Sequence, residues 1–205
     1  MNVKNVFIID DDASVRDALL TLVESVGLHP ECFESADEFL KIALECQHGC
    51  VVTDICLPGT NGIQLQKIME KKGIGLPIIA MSAHGDIPMA VEMVRLGAID
   101  FIEKPFRNQM MLQRIHEALE KNQQQYLLRK EHAVINARLQ ALTPREHEIL
   151  ALLLQGDSNK LIAREMALSP RTVEVHRANI LKKLQVKSVT EISLLLKDFS
   201  AAKPT

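Results

Sequence analysis

No apolar run in this 205-residue chain approaches the roughly 18 residues that a membrane-spanning helix requires. The apolar stretch near the start, in MNVKNVFIIDDD, is too short and wrongly flanked for a secretory signal, so a cytoplasmic location is expected. The four cysteines, Cys32, Cys46, Cys50 and Cys56, form no CxxC pair. "CQHGC" (46–50) sets His48 between two thiols without a fourth ligand nearby, so reduced, buried thiols are expected there rather than a metal. A Walker loop is missing too, which argues against ATP-driven chemistry. From 107 to 140 there is neither proline nor glycine. The chain does have 47% hydrophobic and 24% charged residues, the balance of an ordinary globular protein, at a length comfortable for two domains.

The formal net charge of −2 hides an asymmetry. Residues 1–106 carry 16 Asp+Glu against 8 Lys+Arg, a net −8, whereas 107–205 carry 10 against 16, a net +6. An acidic half joined to a basic half points to two domains, with nucleic acid a candidate partner of the second.

In the acidic half, apolar runs alternate with amphipathic segments. The runs are VFII (6–9), a weaker HPECF (29–33), CVVT (50–53), PIIAM (77–81) and IDFI (99–102). Helical patterns fall near 13–26, 35–45, 61–72, 87–96 and 107–124. Five strand-helix repeats predict a parallel sheet covered on both faces, with functional groups gathered at the carboxyl ends of its strands. Asp10 and Asp11 follow the first run, Asp54 the third, Ser82 the fourth and Lys104 the fifth. Asp12 suits the cap of the first helix.

Several carboxylates on one rim are tolerable when a divalent cation neutralises them. Hard oxygen donors suit Mg²⁺ or Mn²⁺, completed by phosphate oxygens. One carboxylate can then accept a phosphoryl group as an acyl phosphate. Asp54 is that candidate, with Asp11 on the metal directly and Asp10 through water. Ser82 and Lys104 are placed to contact the new phosphoryl oxygens. "IIDDD", "VTDICLPG", "AMSAHGD" and "IEKPF" together resemble a two-component receiver domain. The resemblance implies a flavodoxin-like (βα)5 fold with strand order 2-1-3-4-5. It also implies that the backbone carbonyl of Cys56 is a third metal ligand, and that Phe101 turns inward as Ser82 moves. Cys56 and His84, each two residues beyond a site residue, are expected either to tune the phosphoryl lifetime or to be plain loop residues.

The stretch 107–140 reads as the last helix running on into a linker. Leu112, Leu119, Tyr126 and Ala133 recur every seven residues, but the companion seam of Ile115, Asn122, Arg129 and Asn136 turns polar after its first member. A solvated connecting helix is favoured over a coiled-coil dimer.

Beyond it, "LTPREHEILALLLQG" has Thr143 as cap, Pro144 at the first helical position, Glu146 closing a capping box and Gly156 as stop. "SNKLIAREMAL" and "SPRTVEVHRANILKKL" follow, the second capped by Ser169, and a last helix is expected near 188–199. On a helical wheel Val173, Ile180 and Leu184 form one stripe, flanked by His176 and Arg177. Arg171, Val175, Ala178 and Lys182 lie opposite. Residues 159–187 hold seven Lys+Arg against two Glu, which suits phosphate contacts. These motifs resemble the LuxR/FixJ-type helix-turn-helix, in its four-helix form, and the whole chain resembles the FixJ/NarL response regulators. The resemblance implies that Lys160, Thr172 and Arg177 lean toward phosphates, while Glu174, Val175 and Ala178 approach base edges.

The expected organisation is a receiver over 1–122, a helical linker over 123–140 and a helix-turn-helix domain over 141–205. The expected function is a phosphorylation-switched transcriptional regulator. Its partners would be a cognate sensor histidine kinase, double-stranded promoter DNA, a second copy of itself on phosphorylation and, as a further candidate, RNA polymerase, with no membrane. The alternative is a constitutive DNA-binding protein with a structural receiver. A phosphohydrolase is disfavoured, because the acid/base carboxylate it needs two residues beyond Asp54 is replaced by Cys56. No enzymatic role is expected beyond self-phosphorylation from a donor and slow self-dephosphorylation.

Overall fold

Side chains alternate across a strand, so a strand buried on both faces must be apolar at every position. The computed structural model, which describes residues 4–83 and 87–201, shows that arrangement. β1 (Asn5–Ile9), β2 (His29–Phe33), β3 (Cys50–Asp54), β4 (Ile78–Ser82) and β5 (Asp100–Glu103) form one parallel sheet in the order β2-β1-β3-β4-β5. Phe7, Ile9, Val51, Ile78 and Ala80 pack into one core layer. Val6, Ile8, Val52, Ile79 and Met81 pack into the other. α1 (Ala13–Glu24) and the start of α5 (Asn108–Gln140) cover the second layer, and α2 (Ala36–Phe39), α3 (Gly62–Lys71) and α4 (Ile87–Arg95) cover the first. Each fully buried side chain of the size of Phe7 or Leu19 contributes roughly 1.5–3 kcal/mol. The chain divides into two compact units, Met1–Leu127 and Leu128–Thr205.

The second helix is shorter than the pattern over 35–45 suggests. After four residues capped by Ser35, the chain tightens into i→i+3 turns, such as Ile42 N–H to Phe39 C=O at 3.1 Å. It then re-enters the sheet through Gly49, whose φ is +140°. A Cβ there would lie 2.4 Å from the Asn5 carbonyl oxygen. Gly49→Ala is therefore expected to destabilise the Met1–Leu127 unit by about 3–4 kcal/mol, read as a drop in the urea midpoint of the full chain.

The polar break in the 112–136 seam has a local cause. Met111, Ile115, Ala118 and Leu119 of α5 are spent on the sheet's own core. Asn122 is buried because its Oδ1 accepts from the Gly49 N–H at 3.1 Å and its Nδ2 donates to the Gly75 carbonyl at 3.2 Å. Tyr126 stands edge-on to His48 with ring centroids 4.0 Å apart. Arg129, Ala133 and Asn136 are exposed. None of the described helices is long and apolar enough to cross a membrane.

The second unit is helical throughout its described elements: α6 (Pro144–Gln155), α7 (Asn159–Glu165), α8 (Pro170–Leu184) and α9 (Val189–Ala201). Its core gathers Ile149, Leu153, Ile162, Val173, Ile180, Leu184 and Ile192. Thr143 and Glu146 form the expected capping box, and Gly156 ends α6 in the left-handed conformation. Glu146 does more than cap: its buried carboxylate also accepts from Lys183 Nζ at 2.6 Å, tying α6 to α8. Burial would raise its pKa, but the hydrogen bonds from Lys183 and Thr143 outweigh that and hold it below the usual value.

A depressed folded-state pKa means stability that is present above the unfolded value, near 4.5, and lost as pH falls through the folded one. Glu146→Gln keeps the capping geometry without the charge. It is expected to cost about 1 kcal/mol at neutral pH and to flatten the acid loss. Amide exchange of α6 and α8 in the full chain at about pH 7 and about pH 4 reads both effects.

Candidate acidic site and nucleic-acid interface

Three consecutive aspartates at the end of β1 part company because each backbone position faces a different way. Asp10 turns inward and is 1% exposed, with its Oδ1 accepting the Asp12 N–H at 3.0 Å. Asp11 faces out. Asp12 caps α1, accepting from Ser14 N–H at 2.8 Å and Ser14 Oγ at 2.6 Å, bonds that hold its carboxyl below the ordinary range. Asp54 ends β3, nearly buried, and its Oδ1 accepts the Cys56 N–H at 2.7 Å. Carboxylate oxygens of Asp10, Asp11 and Asp54 lie within 4.8 Å of one another.

The neutralising group comes from the far edge of the sheet. Lys104 Nζ donates to Asp10 Oδ2 at 2.6 Å and to Asp54 Oδ2. Its own N–H is fixed by the Ser82 carbonyl at 2.8 Å, so the last strand delivers it to the rim. Burial would lower the Lys104 pKa, but the two carboxylate bonds outweigh it and hold the ammonium protonated above its usual value. Burial pushes Asp10 up, against the opposing pull of Lys104 and the Asp12 N–H. Ser82 is buried at the end of β4, opposite Glu103 of β5, while Phe101 lies opposite Ala80 and packs half-buried against the core.

One ammonium against three carboxylates leaves a deficit of two positive charges at a site built of hard oxygen donors. That donor set fits a divalent cation such as Mg²⁺. α3 presses on the same place: Gly62 donates to the Ile55 carbonyl at 3.1 Å, and a Cβ at Gly62 would lie 2.8 Å from the Asp54 carbonyl oxygen. The sequence pattern gave no role to Gly62, nor to Arg16, whose Nη1 donates to the Asp10 carbonyl at 2.8 Å. The second glycine of the LPGTNG turn was the available signal for Gly62. Arg16 had none.

The expectation of buried thiols holds for one cysteine and needs correcting for the rest. Cys50 is buried, and burial pushes its thiol far above the usual range, but Cys32 and Cys46 are half-buried and Cys56 is exposed. Cys56 sits outside the sheet because its strand has ended at Asp54. All four are free, and no metal-holding group forms around His48 among the described residues. His84 lies outside the described residues.

In the second unit, α7, a turn with Ala167 at φ +53° and α8 make the helix-turn-helix. Val173, Ile180 and Leu184 are buried, while Arg171, Glu174, Val175, Ala178 and Lys182 are exposed. The division expected from the helical wheel is thus present, with Lys160 of α7 exposed as well. Thr172 and Arg177 are half-buried. The Thr172 hydroxyl pairs with Ser169 Oγ at 2.7 Å, and Arg177 Nη1 donates to Asn159 Oδ1 at 3.4 Å.

Residues 6–116 match the response regulator receiver domain, and residues 140–196 match the bacterial regulatory proteins of the luxR family. The transcriptional regulatory protein FixJ of Bradyrhizobium diazoefficiens is 43% identical over 191 residues, covering 92% of either chain. The transcriptional regulatory protein TdiR of Thauera aromatica is 41% identical over 191 residues, 93% of this chain and 84% of its own. Among solved structures, the response regulator StyR matches with a TM-score of 0.87 at 40% identity, over 95% of this chain and 98% of its own. Full-length FixJ from B. japonicum matches with a TM-score of 0.61 at 39% identity, over 99% and 100%. The curated relatives are named as regulators, not enzymes.

Proposed function

Because this chain belongs to the response regulators that join a receiver domain to a LuxR-type DNA-binding domain, we propose that it is switched by a phosphoryl group on Asp54. The donor is the phosphohistidine of a cognate sensor kinase. An Asp54 carboxylate oxygen attacks phosphorus, the P–N bond breaks, and the imidazole leaves with the electron pair and takes up a proton. The observation that carries this reading is the Lys104 ammonium bridging Asp10 and Asp54 at one buried rim. It gives a transferred phosphoryl group a cation already in place.

Asp11, Asp54 and the Cys56 carbonyl, with Asp10 through water, would hold Mg²⁺ or Mn²⁺, which supplies counter-charge to the phosphoryl oxygens. Ser82 and Lys104 take the remaining oxygens, and Phe101 follows Ser82 inward. Phosphorylation adds nearly two negative charges, enough to repack the segment behind Ser82 and favour a homodimer. In the second unit, Lys160, Arg171, Thr172, Arg177 and Lys182 hold phosphates while Glu174, Val175 and Ala178 meet base edges in the major groove of promoter DNA. DNA as the target places its work in the cytoplasm, with RNA polymerase a candidate next partner. The domain limits are proposed as 1–122, 123–140 and 141–205.

Intact-mass spectrometry of the full chain after treatment with acetyl phosphate tests the phosphoacceptor. One phosphoryl adduct is expected in the wild type with Mg²⁺, and none without the metal or in Asp54→Asn. If the wild type shows neither an adduct nor donor hydrolysis, a constitutive DNA-binding protein with a structural receiver takes its place.

A further inference from the structure

α4 is lightly held. Among its described residues Met93 alone is fully buried, while Ile87, Val91 and Val94 are 75%, 44% and 55% exposed. Two neighbouring side chains of α3 reach across to it. Lys67 pairs with Glu92 at 2.7 Å, but both are about half exposed, and such pairs hold little.

Gln66 is different, because it is buried. Its Nε2 donates to the Leu96 carbonyl at 2.5 Å, capping the end of α4, while its Oε1 is buried without a hydrogen-bond partner. The amide cannot simply be turned round, since an oxygen would then face the Leu96 carbonyl oxygen and the bond would be lost. The resting arrangement therefore carries the desolvation cost of an orphaned acceptor, which any displacement of α4 that admits water relieves. α3 also touches the phosphoacceptor end. Its first residue, Gly62, is pressed against the Asp54 backbone, and the Asn61–Gln64 capping box fixes that end of the helix. Asp54, α3, Gln66 and α4 thus form one chain of direct contacts.

We propose that Gln66 is a positioning residue of the switch: its bond to Leu96 latches α4 in the resting placement, and phosphorylation of Asp54 releases it through α3. This rests on Asp54 being the phosphoacceptor. The latch biases a two-state element, so removing it shifts the resting population without adding any contact to DNA.

The test compares wild type, Gln66→Ala, Gln66→Leu and Lys67→Ala as full chains, with and without acetyl phosphate and Mg²⁺. The probe is a duplex selected from a random pool by the acetyl phosphate-treated wild type. Amide exchange over 87–98 is read alongside. Either Gln66 variant, without phosphorylation, is expected to bind about tenfold tighter than the untreated wild type and to exchange faster over 87–98. Affinities after treatment should coincide, and Lys67→Ala should stay within about twofold. Faster exchange with unchanged resting affinity would make Gln66 a purely structural residue and overturn the latch. So would an equal effect of Lys67→Ala. If the treated wild type carries the phosphoryl adduct yet binds no tighter, the latch is overturned while the phosphoacceptor reading stands; if it shows neither adduct nor donor hydrolysis, that reading fails and the latch with it.

Discussion

Lys104→Ala is expected to destabilise the Met1–Leu127 unit by about 3 kcal/mol, because it strands carboxylates that are buried and close together. Asp10 is 1% exposed and cannot escape to solvent, so the repulsion between Asp10 and Asp54 is not relieved by a small movement. A loss of that size lowers the melting temperature by roughly 10 °C for a unit of this length. Two conditions should restore much of it. Millimolar Mg²⁺ supplies the missing positive charge at the same oxygens. Mild acid protonates Asp10, whose carboxyl burial pushes up. Burial and the neighbouring Asp54 charge already push the Asp10 carboxyl up, and without Lys104 nothing at its Oδ2 pulls it back, so its folded-state pKa lies above the unfolded one. Stability is therefore present at low pH and lost as pH rises through the raised value, the reverse of the usual carboxylate dependence. Urea unfolding at about pH 7 and about pH 5, with and without Mg²⁺, reads all three effects. An equal loss under every condition would show that Lys104 acts through the packing of its alkyl chain instead.

Val175→Glu is expected to lower specific DNA affinity at least about a hundredfold while leaving stability within about 0.5 kcal/mol. Val175 is 54% exposed at the centre of the outward face of α8, and the buried stripe of Val173, Ile180 and Leu184 does not touch solvent. With α8 in the major groove as proposed, a carboxylate at that place loses an apolar base contact and sets a negative charge among phosphates. Lys160→Ala and Lys182→Ala should behave differently. Each is expected to weaken specific and non-specific duplexes alike and to reduce the salt slope by about one. Binding titrations at several salt concentrations, paired with thermal melts, separate the two classes. A Val175→Glu chain that keeps its affinity and its melting temperature would remove α8 from the groove.

Much of this was legible in local sequence, because local signals report local geometry. The runs VFII and PIIAM became β1 and β4, and the caps at Asp12, Thr143 and Ser169 sit where each helix begins. The faces of α8 followed from a period of 3.6. Legibility failed where the deciding partner is distant in the chain. The 35–45 pattern has helical spacing, yet tertiary constraints at Gly49 and the Phe39 core leave only Ala36–Phe39 as α-helix. Asn122 looked like a flaw in a heptad until its partners, 73 and 47 residues away, supplied the reason. Gln66 carried no signal, since a glutamine on a helix is ordinarily solvated and only its packing against Leu96 removes the water.

By itself, then, the sequence determined the strands, the capped helices, the acidic rim and the exposed outward face of α8, because periodicity and capping act over a few residues. Only the tertiary structure decided that Lys104 answers Asp10 and Asp54 across 94 and 50 residues, and that Gln66 holds α4 from α3. Those bonds exist because the order β2-β1-β3-β4-β5 brings remote strand ends to one rim, where burial makes a single charge or a single amide count.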